Sequence, residues 1–281
     1  MIALISFDHT RPGVANADRW TKMYNSAANR QSFVDNYAVP FVRRFGDNPW
    51  FWSIDAGNEL DWVFENHGIA RDNMFDLVAR TANGVHANSE VLVTLGTGAG
   101  PKYLSPDYGT NYYSDVELQR LQPGAYLDFY DDHYYDWMKQ WFSTPFDNGP
   151  SDWQISEKPC VIGEYQASGH GDGYSPQQCL DKAFAKGWQG VMPWTSNGVD
   201  ACGTFSDFSA AWSAFRDAHP LLVTPDLQTG AAVLPAVLAA SHTGMRAWYD
   251  ISGRMCGSEA GSRAVRITVD GASGHPVFAP R

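Results

Sequence analysis

The sequence predicts an α/β fold in which helices cross over a parallel β-sheet. Its 281 residues are 44% hydrophobic, which is enough for a sizeable core. Short apolar runs alternate with helical stretches, and this strand-helix order repeats six times, which is typical of a parallel sheet. A doubly wound nucleotide-binding sheet is the main alternative. No Gly-rich phosphate loop joins a strand to a helix, so that fold is disfavoured.

Six apolar runs are predicted to form the strands of this sheet. Each run is short, rich in β-branched or aromatic residues, and bounded by turn residues. The predicted strands are residues 2–7, 50–56, 91–95, 127–130, 160–163 and 190–194.

Helices are predicted between these strands and after the last one. In the first helix, Phe33, Tyr37, Phe41 and Phe45 recur at steps of four, and Pro40 is expected to kink it. The predicted helices are residues 31–46, 71–87, 115–122, 175–187 and 206–217. Residues 9–30 and 97–114 are predicted to be loops, and residues 136–156 a Trp-rich connection.

Composition narrows the class of partner. A net charge of −11 disfavours nucleic acid and anionic membranes as partners. No stretch reaches the length of a membrane span. Aromatic residues make up 14% of the chain, and 11 Trp suit a cleft that stacks on sugars, although some of them are equally explained as core. A neutral polysaccharide is compatible with this composition.

The four cysteines do not indicate a metal site. They are Cys160, Cys179, Cys202 and Cys256, and none forms a CxxC or Cys/His cluster. Cys160 falls in a predicted strand and is expected to be a free core thiol. A bond between Cys179 and Cys202 is left open. The sequence predicts no metal and no cofactor.

Two of the predicted strands end in a glutamate. Asn58-Glu59 closes the second strand, and Glu164 closes the fifth. The carboxyl ends of parallel strands share one edge, so the two carboxylates are expected to meet there. Paired carboxylates at such an edge suggest glycoside hydrolysis. The competing interpretation is that two glutamates merely follow two strands.

With these residues in place, the chain resembles the clan A glycoside hydrolases, and within them a family 5 enzyme of the cellulase or β-mannanase type. The likeness covers about residues 1–218. Four motifs carry it, in the family's order: Phe45-Gly-Asp-Asn-Pro49 leading to Asn58-Glu59, then His133 and Tyr135 after the strand that begins at 127, then Lys158 to Glu164, then Met192-Pro193-Trp194.

The resemblance implies a role for each motif. It implies that Glu59 is the acid/base and Glu164 the nucleophile. It also implies that Asn58, His133, Tyr135 and Trp194 bind substrate, with Tyr135 as the donor that holds Glu164 and Trp194 as a stacking floor. His9, just past the first strand, is a further candidate for the same subsite.

The chain departs from the family pattern in two places. Residues 2–7 correspond to the family's third strand, so the first two β/α units and the second-strand arginine are missing. Leu60 stands where a proline is frequent. The predicted fold class is therefore an α/β, (β/α)8 TIM barrel lacking its first two β/α units, plus a small β-rich C-terminal tail. Such a barrel has an open edge.

Three regions are predicted along the chain. Residues 1–220 form the partial barrel, 221–240 a linker, and 241–281 a β-rich tail. Met245 to Arg254 contains Tyr-Asp-Ile-Ser-Gly-Arg, which resembles the hairpin of C-terminal secretion sorting domains of the Bacteroidetes type. The N-terminus does not look like a signal peptide, but a full-length parent is expected to be secreted or held at the cell surface.

The function predicted from the resemblance is retaining hydrolysis of a β-1,4-linked polysaccharide, with mannan ahead of cellulose. The alternative is an inactive carbohydrate-binding fragment. Either way the partner is a β-linked polysaccharide or oligosaccharide, and the oligomeric state is left open. Trp52 is expected in the core. Trp62, Trp137 and Trp141 are candidates for outer subsites, and loop polarity alone explains His170 and Asp172.

Overall fold

A computed structural model gives the structure of residues 1–155 and 157–223, and of short strands beyond them. The chain divides into two units, Met1–Ala218 and His219–Arg281. In the second unit the described strands pair antiparallel: Pro225–Asp226 with Ala231–Ala232, Ala247–Tyr249 with Met255–Ser258, and Ile267–Val269 with Pro276–Phe278. Most of the predicted linker and of the Tyr-Asp-Ile-Ser-Gly-Arg motif lies outside the described residues.

The first unit is built on parallel strands. They are β1 Ile2–Ala3, β2 Ser53–Asp55, β3 Leu92–Thr94, β4 Gly96–Thr97, β5 Tyr130–Tyr134, β6 Cys160–Gln166 and β7 Gly190–Trp194. The order is β1-β2-β3 in one sheet and β4-β5-β6-β7 in the other, and every pairing is parallel. Only Leu95 separates β3 from β4, so one stretch of chain joins the two sheets.

The strand order confirms the predicted parallel sheet, with shifted ends. The first strand is shorter than predicted, although Ser6 still bridges to Asn58 in parallel. The fourth predicted strand begins later, at Tyr130, and runs on through polar residues to Tyr134. Within residues 1–155 and 157–223, β1 and β7 each pair on one side only, so the sheet stays open between them.

Helices fill the connections between the strands. They are α1 Ala17–Asn25, α2 Ala27–Phe33, α3 Val39–Phe45, α4 Asp61–Asn66, α5 Arg71–His86, α6 Gly100–Leu104, α7 Asp115–Leu121, α8 Pro176–Ala185 and α9 Phe205–Ala218, with α10 Pro220–Val223 in the second unit. No described helix combines the length and the apolar character needed to cross a membrane.

The first helical region differs from the prediction. Residues 9–30 are not a loop, because they contain α1 and the start of α2. Tyr24 on α1 is fully buried, and Trp20 packs on the core beside it, but polar residues between them hide this apolar face in the sequence. A π-helical stretch, Val34–Ala38, joins α2 to α3 just before Pro40, whose nitrogen has no hydrogen to donate to an α-helical hydrogen bond.

The core lies between the strands and the long helix α5. Ile54, Val93 and Ile162 on the strands are buried, as are Leu77 and Val78 on α5. Burial of such side chains is the main favourable contribution to folding.

The structure shows the burial of Trp52 and the state of three cysteines. Trp52 was expected to be buried, but it precedes β2, is 41% exposed, and stacks on Phe129. Cys160, Cys179 and Cys202 are buried and free, so the bond left open between Cys179 and Cys202 is not formed. The side chain of Cys256 lies outside the described residues.

Replacing one core valine should destabilise the first unit. Val93 is fully buried on β3, whereas Val116 on α7 is 78% exposed. We expect Val93→Ala to lower the free energy of unfolding by about 2 kcal/mol, because it removes buried methyl groups and leaves a cavity. Val116→Ala, the same chemical change, should stay within about 0.5 kcal/mol. Urea unfolding measures both, and equal effects would contradict the placement of β3 in the core.

Candidate active site

Glu59 reaches the site because the chain turns sharply after β2. The Asn58 amide donates to the Ile5 carbonyl at 2.8 Å, and the Glu59 amide donates to the Gly96 carbonyl at 2.9 Å. Glu59 has a φ of 53°, in the left-handed region that non-glycine residues seldom occupy. Its side chain is buried. Backbone contacts with both neighbouring strands therefore fix a strained residue, which is common at functional sites.

His133 joins this glutamate to Glu164. The Nδ1 atom of His133 lies 2.9 Å from Glu59 Oε1 and 3.6 Å from Glu164 Oε2. The ring is almost completely buried. His133 and Glu164 are register partners on the adjacent strands β5 and β6, so the sheet itself sets their proximity. One atom from each of the three side chains lies within 4.8 Å of the other two.

Tyr135 holds the second glutamate. Its hydroxyl donates to Glu164 Oε2 at 2.5 Å. Burial, followed by the charge of Glu164, raises the pKa of Tyr135. The hydroxyl therefore keeps its proton and remains a donor to Glu164.

Burial and charge oppose each other in the pKa values of the site. Burial lowers the pKa of His133, but the charge of Glu164 and the hydrogen bond to Glu59 more than offset it, so the pKa lies well above its usual value. Burial raises the pKa of Glu164, while His133 and the Tyr135 hydrogen bond lower it in part. A positively charged imidazole between two carboxyl groups is the arrangement these directions favour.

Four buried aspartates surround this centre and were not singled out from the sequence. Asp55 accepts from the amides of Gly57 and Gly96, both at 3.0 Å, and burial raises its pKa to about 6. Burial, then the charge of Glu59, raises the pKa of Asp61 to about 7. All four residues are at most 2% exposed, the other two being Asp131 and Asp132.

Asp131 and Asp132 lie on β5 itself. No oxygen of either carboxyl group makes a hydrogen bond of normal geometry. Asp131 lies 4.0 Å from His133 Nε2, and burial raises its pKa to about 8. Burial also raises the pKa of Asp132 well above its usual value. Both follow the predicted strand 127–130 in the sequence, but the observed strand continues through them to Tyr134.

Glycines make room for these side chains. A side-chain carbon on Gly163 would overlap the Asp131 carboxyl group, and one on Gly100 would overlap Asp132. A carbon on Gly96 would lie 2.8 Å from His133 Nε2. Contacts this close force a shift. The buried acids and the imidazole thus depend on glycine in the neighbouring segments.

The other predicted site residues, Asn58, Trp194 and His9, lie outside the cluster of Glu59, His133 and Glu164 and have their own contacts. Asn58 adjoins Glu59 and bridges to Ser6. Trp194 ends β7, is half-buried, and its indole donates to Asp200 Oδ2 at 3.0 Å. His9 lies in a short turn, where its Nδ1 accepts from the Ser6 amide and its ring stacks on Trp20 at 4.4 Å. A role for His9 in binding stays a prediction.

Among residues 1–155 and 157–223, Glu59, His133 and Glu164 are also the group whose ligand atoms are close enough to approach one metal ion. Imidazole and carboxylate are ordinary ligands for divalent transition metals. The contact between His133 and Glu59 engages the same atoms in a hydrogen bond. Because these two atoms are hydrogen-bonded to each other, the structure favours acid-base chemistry over metal binding at this site.

Comparison with known proteins finds one curated relative and several solved structures. No protein-family model matches the chain. A curated mannan endo-1,4-beta-mannosidase of Mytilus edulis is 36% identical over 93 residues, which span 32% of this chain and 24% of that protein. The match therefore spans about a quarter of the curated relative.

Solved structures extend the likeness to most of the chain. A β-1,4-mannanase from Aplysia kurodai matches with a TM-score of 0.64 and 20% identity, over 77% of this chain and 67% of that one. An endo-1,4-β-mannanase from Eisenia fetida matches with a TM-score of 0.62 and 22% identity, over 70% of this chain and 62% of that one. A β-mannanase from Mytilus edulis matches with a TM-score of 0.58 and 22% identity, over 69% of this chain and 61% of that one. The TIM-barrel fold class and the likeness to clan A glycoside hydrolases are confirmed at the level of fold.

The buried Asp131 should make stability depend on pH. In the unfolded chain this carboxyl group ionises near pH 4, whereas in the folded chain it keeps its proton to about pH 8. Raising the pH through that interval favours unfolding, because only the unfolded state releases the proton. Asp131→Asn removes the ionisation. Its stability relative to the wild type, measured by urea unfolding, should therefore rise between pH 5 and pH 8.

A matched control is the exposed Asp18. The effect of Asp18→Asn should change little over the same pH interval. A stability difference for Asp131→Asn that stays constant from pH 5 to pH 8 would contradict a protonated, buried Asp131.

Proposed function

We propose that this chain is a glycoside hydrolase that cleaves β-1,4-linked mannan by a retaining, double-displacement mechanism. The observation that carries the proposal is the pair Glu59 and Glu164 at one end of the parallel strands, with His133 between them. Active sites of α/β barrels lie at the carboxyl ends of the strands. The mannanase structures with the same fold favour mannan over cellulose as the substrate.

The distance between the carboxylates supports retention. Retaining enzymes place the two carboxyl groups about 5–5.5 Å apart, and inverting enzymes leave roughly 6.5–9.5 Å for a water molecule. Here the nearest atoms of Glu59 and Glu164 are within 4.8 Å of each other. A water molecule and a sugar carbon do not both fit between carboxylates this close, so direct attack by one of them is favoured.

Glu164 is the nucleophile in this proposal. A nucleophilic carboxylate has to be ionised, and two neighbours favour that form. Tyr135 donates to its Oε2, and the imidazole of His133 places positive charge 3.6 Å away. These contacts work against the burial that raises its pKa. They also fix the carboxylate in one orientation.

Glu59 is the acid and then the base. In the first step it gives its proton to the leaving oxygen while Glu164 attacks the sugar. In the second step it takes a proton from water, which releases the sugar with its original configuration. His133 donates to Glu59 and can hold the ionised form between the two steps. Asn58 is placed beside it to donate to the sugar 2-hydroxyl, a contact that strengthens in the transition state.

The alternative is a carbohydrate-binding protein without catalysis. Such a protein would hold the glycan through exposed aromatic side chains, of which Trp137 and Trp141 are examples. Both functions share a glycan partner. A polysaccharide is too large to enter a cell, so we infer that the chain acts outside the cell or at its surface.

Removing the nucleophile separates the two functions. Glu164→Gln should lower mannan hydrolysis below detection, because an amide cannot form the glycosyl-enzyme intermediate. Glu90→Gln, the same change at an exposed position, should retain full activity. Reducing-sugar release from mannan measures both variants. If the wild-type protein binds mannan but releases no sugar, the proposal of a hydrolase is wrong and the proposal of a binding protein remains.

Removing the acid tests the mechanism. Glu59→Ala should still react with dinitrophenyl β-mannoside, because this leaving group needs no acid, but the second step should be slow for want of a base. Azide needs no base, so adding it should restore turnover and yield β-mannosyl azide, identified by NMR. An α-configured azide, or no rescue in a folded variant that still binds mannan, would contradict the assignment of Glu59.

A further inference from the structure

Three tryptophans form a continuous row next to Glu59. Trp62 lies in the first turn of α4, and Trp137 and Trp141 lie in and directly after the turn Asp136–Gln140 that follows β5. The ring centroids of Trp62 and Trp137 are 5.9 Å apart, as are those of Trp137 and Trp141. We name these three residues the tryptophan row.

The inner end of the row touches the catalytic acid of the proposed mechanism. A side-chain carbon on Gly98 would overlap the indole nitrogen of Trp62 and lie 3.0 Å from the carboxyl carbon of Glu59. Trp62 and Glu59 therefore lie against the same glycine. Trp194, in contrast, ends β7, on the far side of β6 and its Glu164.

The outer end of the row faces solvent. Trp137 is 48% exposed and Trp141 59% exposed. Exposed aromatic side chains in contact with one another leave apolar area in water, and clusters of this kind mark binding surfaces. A fold that needed these rings only for its core would bury them, as it buries Trp153 and Trp188.

We propose that the tryptophan row binds the leaving-group half of the glycan, the sugars on the far side of the bond that is cleaved. This inference rests on the proposed function. A general acid has to reach the oxygen that it protonates, so the sugar that carries this oxygen lies against Glu59. The next sugars of the chain then continue over the surface that adjoins Glu59, which is the row.

The chemistry of the row selects an uncharged glycan. Indole rings offer flat apolar faces and one N–H donor each, which suit the C–H faces and hydroxyl groups of a sugar. The nearby ions are already paired, since Lys139 bonds to Asp172 and Asp136 accepts from the Gly171 amide. The chain also carries a net charge of −11, which repels acidic polysaccharides.

Binding is measured first, without turnover. In the Glu164→Gln background, Trp137→Ala and Trp141→Ala should each raise the Kd for mannohexaose on the order of tenfold, by titration calorimetry. Trp50→Ala removes a tryptophan that is 66% exposed and lies outside the row, and should leave the Kd within twofold. Thermal unfolding of each variant checks its fold. A Kd for mannohexaose that is unchanged in both row variants would overturn the proposal.

Turnover then locates the row on one side of the bond. Dinitrophenyl β-mannobioside has no sugar in its leaving group. The two row variants, with Glu164 intact, should therefore lose at least fivefold more kcat/KM on mannohexaose than on the aryl substrate. Equal losses on both substrates would overturn the assignment to the leaving-group half. If the wild type hydrolyses neither substrate, the proposed function fails, while the calorimetric comparison still decides whether the row binds glycan.

Discussion

A buried imidazole between two carboxyl groups is the contact around which this site is arranged. His133 lies 2.9 Å from Glu59 and 3.6 Å from Glu164, and its pKa is raised by their charges although burial lowers it. Two carboxylates this close would otherwise repel each other. The contact depends on the register of β5 and β6, in which His133 pairs with Glu164. A shift by one residue would turn one of the two side chains to the opposite face of the sheet.

The same arrangement carries a cost in stability. Asp131 and Asp132 are buried without hydrogen bonds of normal geometry, and burial raises the pKa of each. A carboxyl group in such surroundings stays neutral because burying an unpaired charge is far more costly. Proteins commonly retain such departures from good packing near sites of chemistry, where function opposes stability. We interpret the acids of β5, and the glycines that make room for them, in this way.

Much of the fold could be predicted from the sequence because short apolar runs and helical periodicity are local signals. The ends of parallel strands share an edge, so Glu59 and Glu164 could be placed together from the strand pattern alone. The helix α1 was missed because polar residues conceal the buried face of Tyr24. Asp131 and Asp132 were missed because charged residues seldom lie inside a buried strand, and only tertiary contacts reveal that these two do.

Trapping the glycosyl-enzyme intermediate tests the central claim, that Glu164 attacks the sugar while Glu59 assists. A 2-deoxy-2-fluoro-β-mannosyl fluoride slows both steps through its ring fluorine, but its good leaving group lets the first step proceed, so the intermediate accumulates. Intact-protein mass spectrometry should show one added fluoromannosyl group, and peptide mapping should place it on Glu164. A label on any other residue, or no label on protein that hydrolyses mannan, would contradict the account.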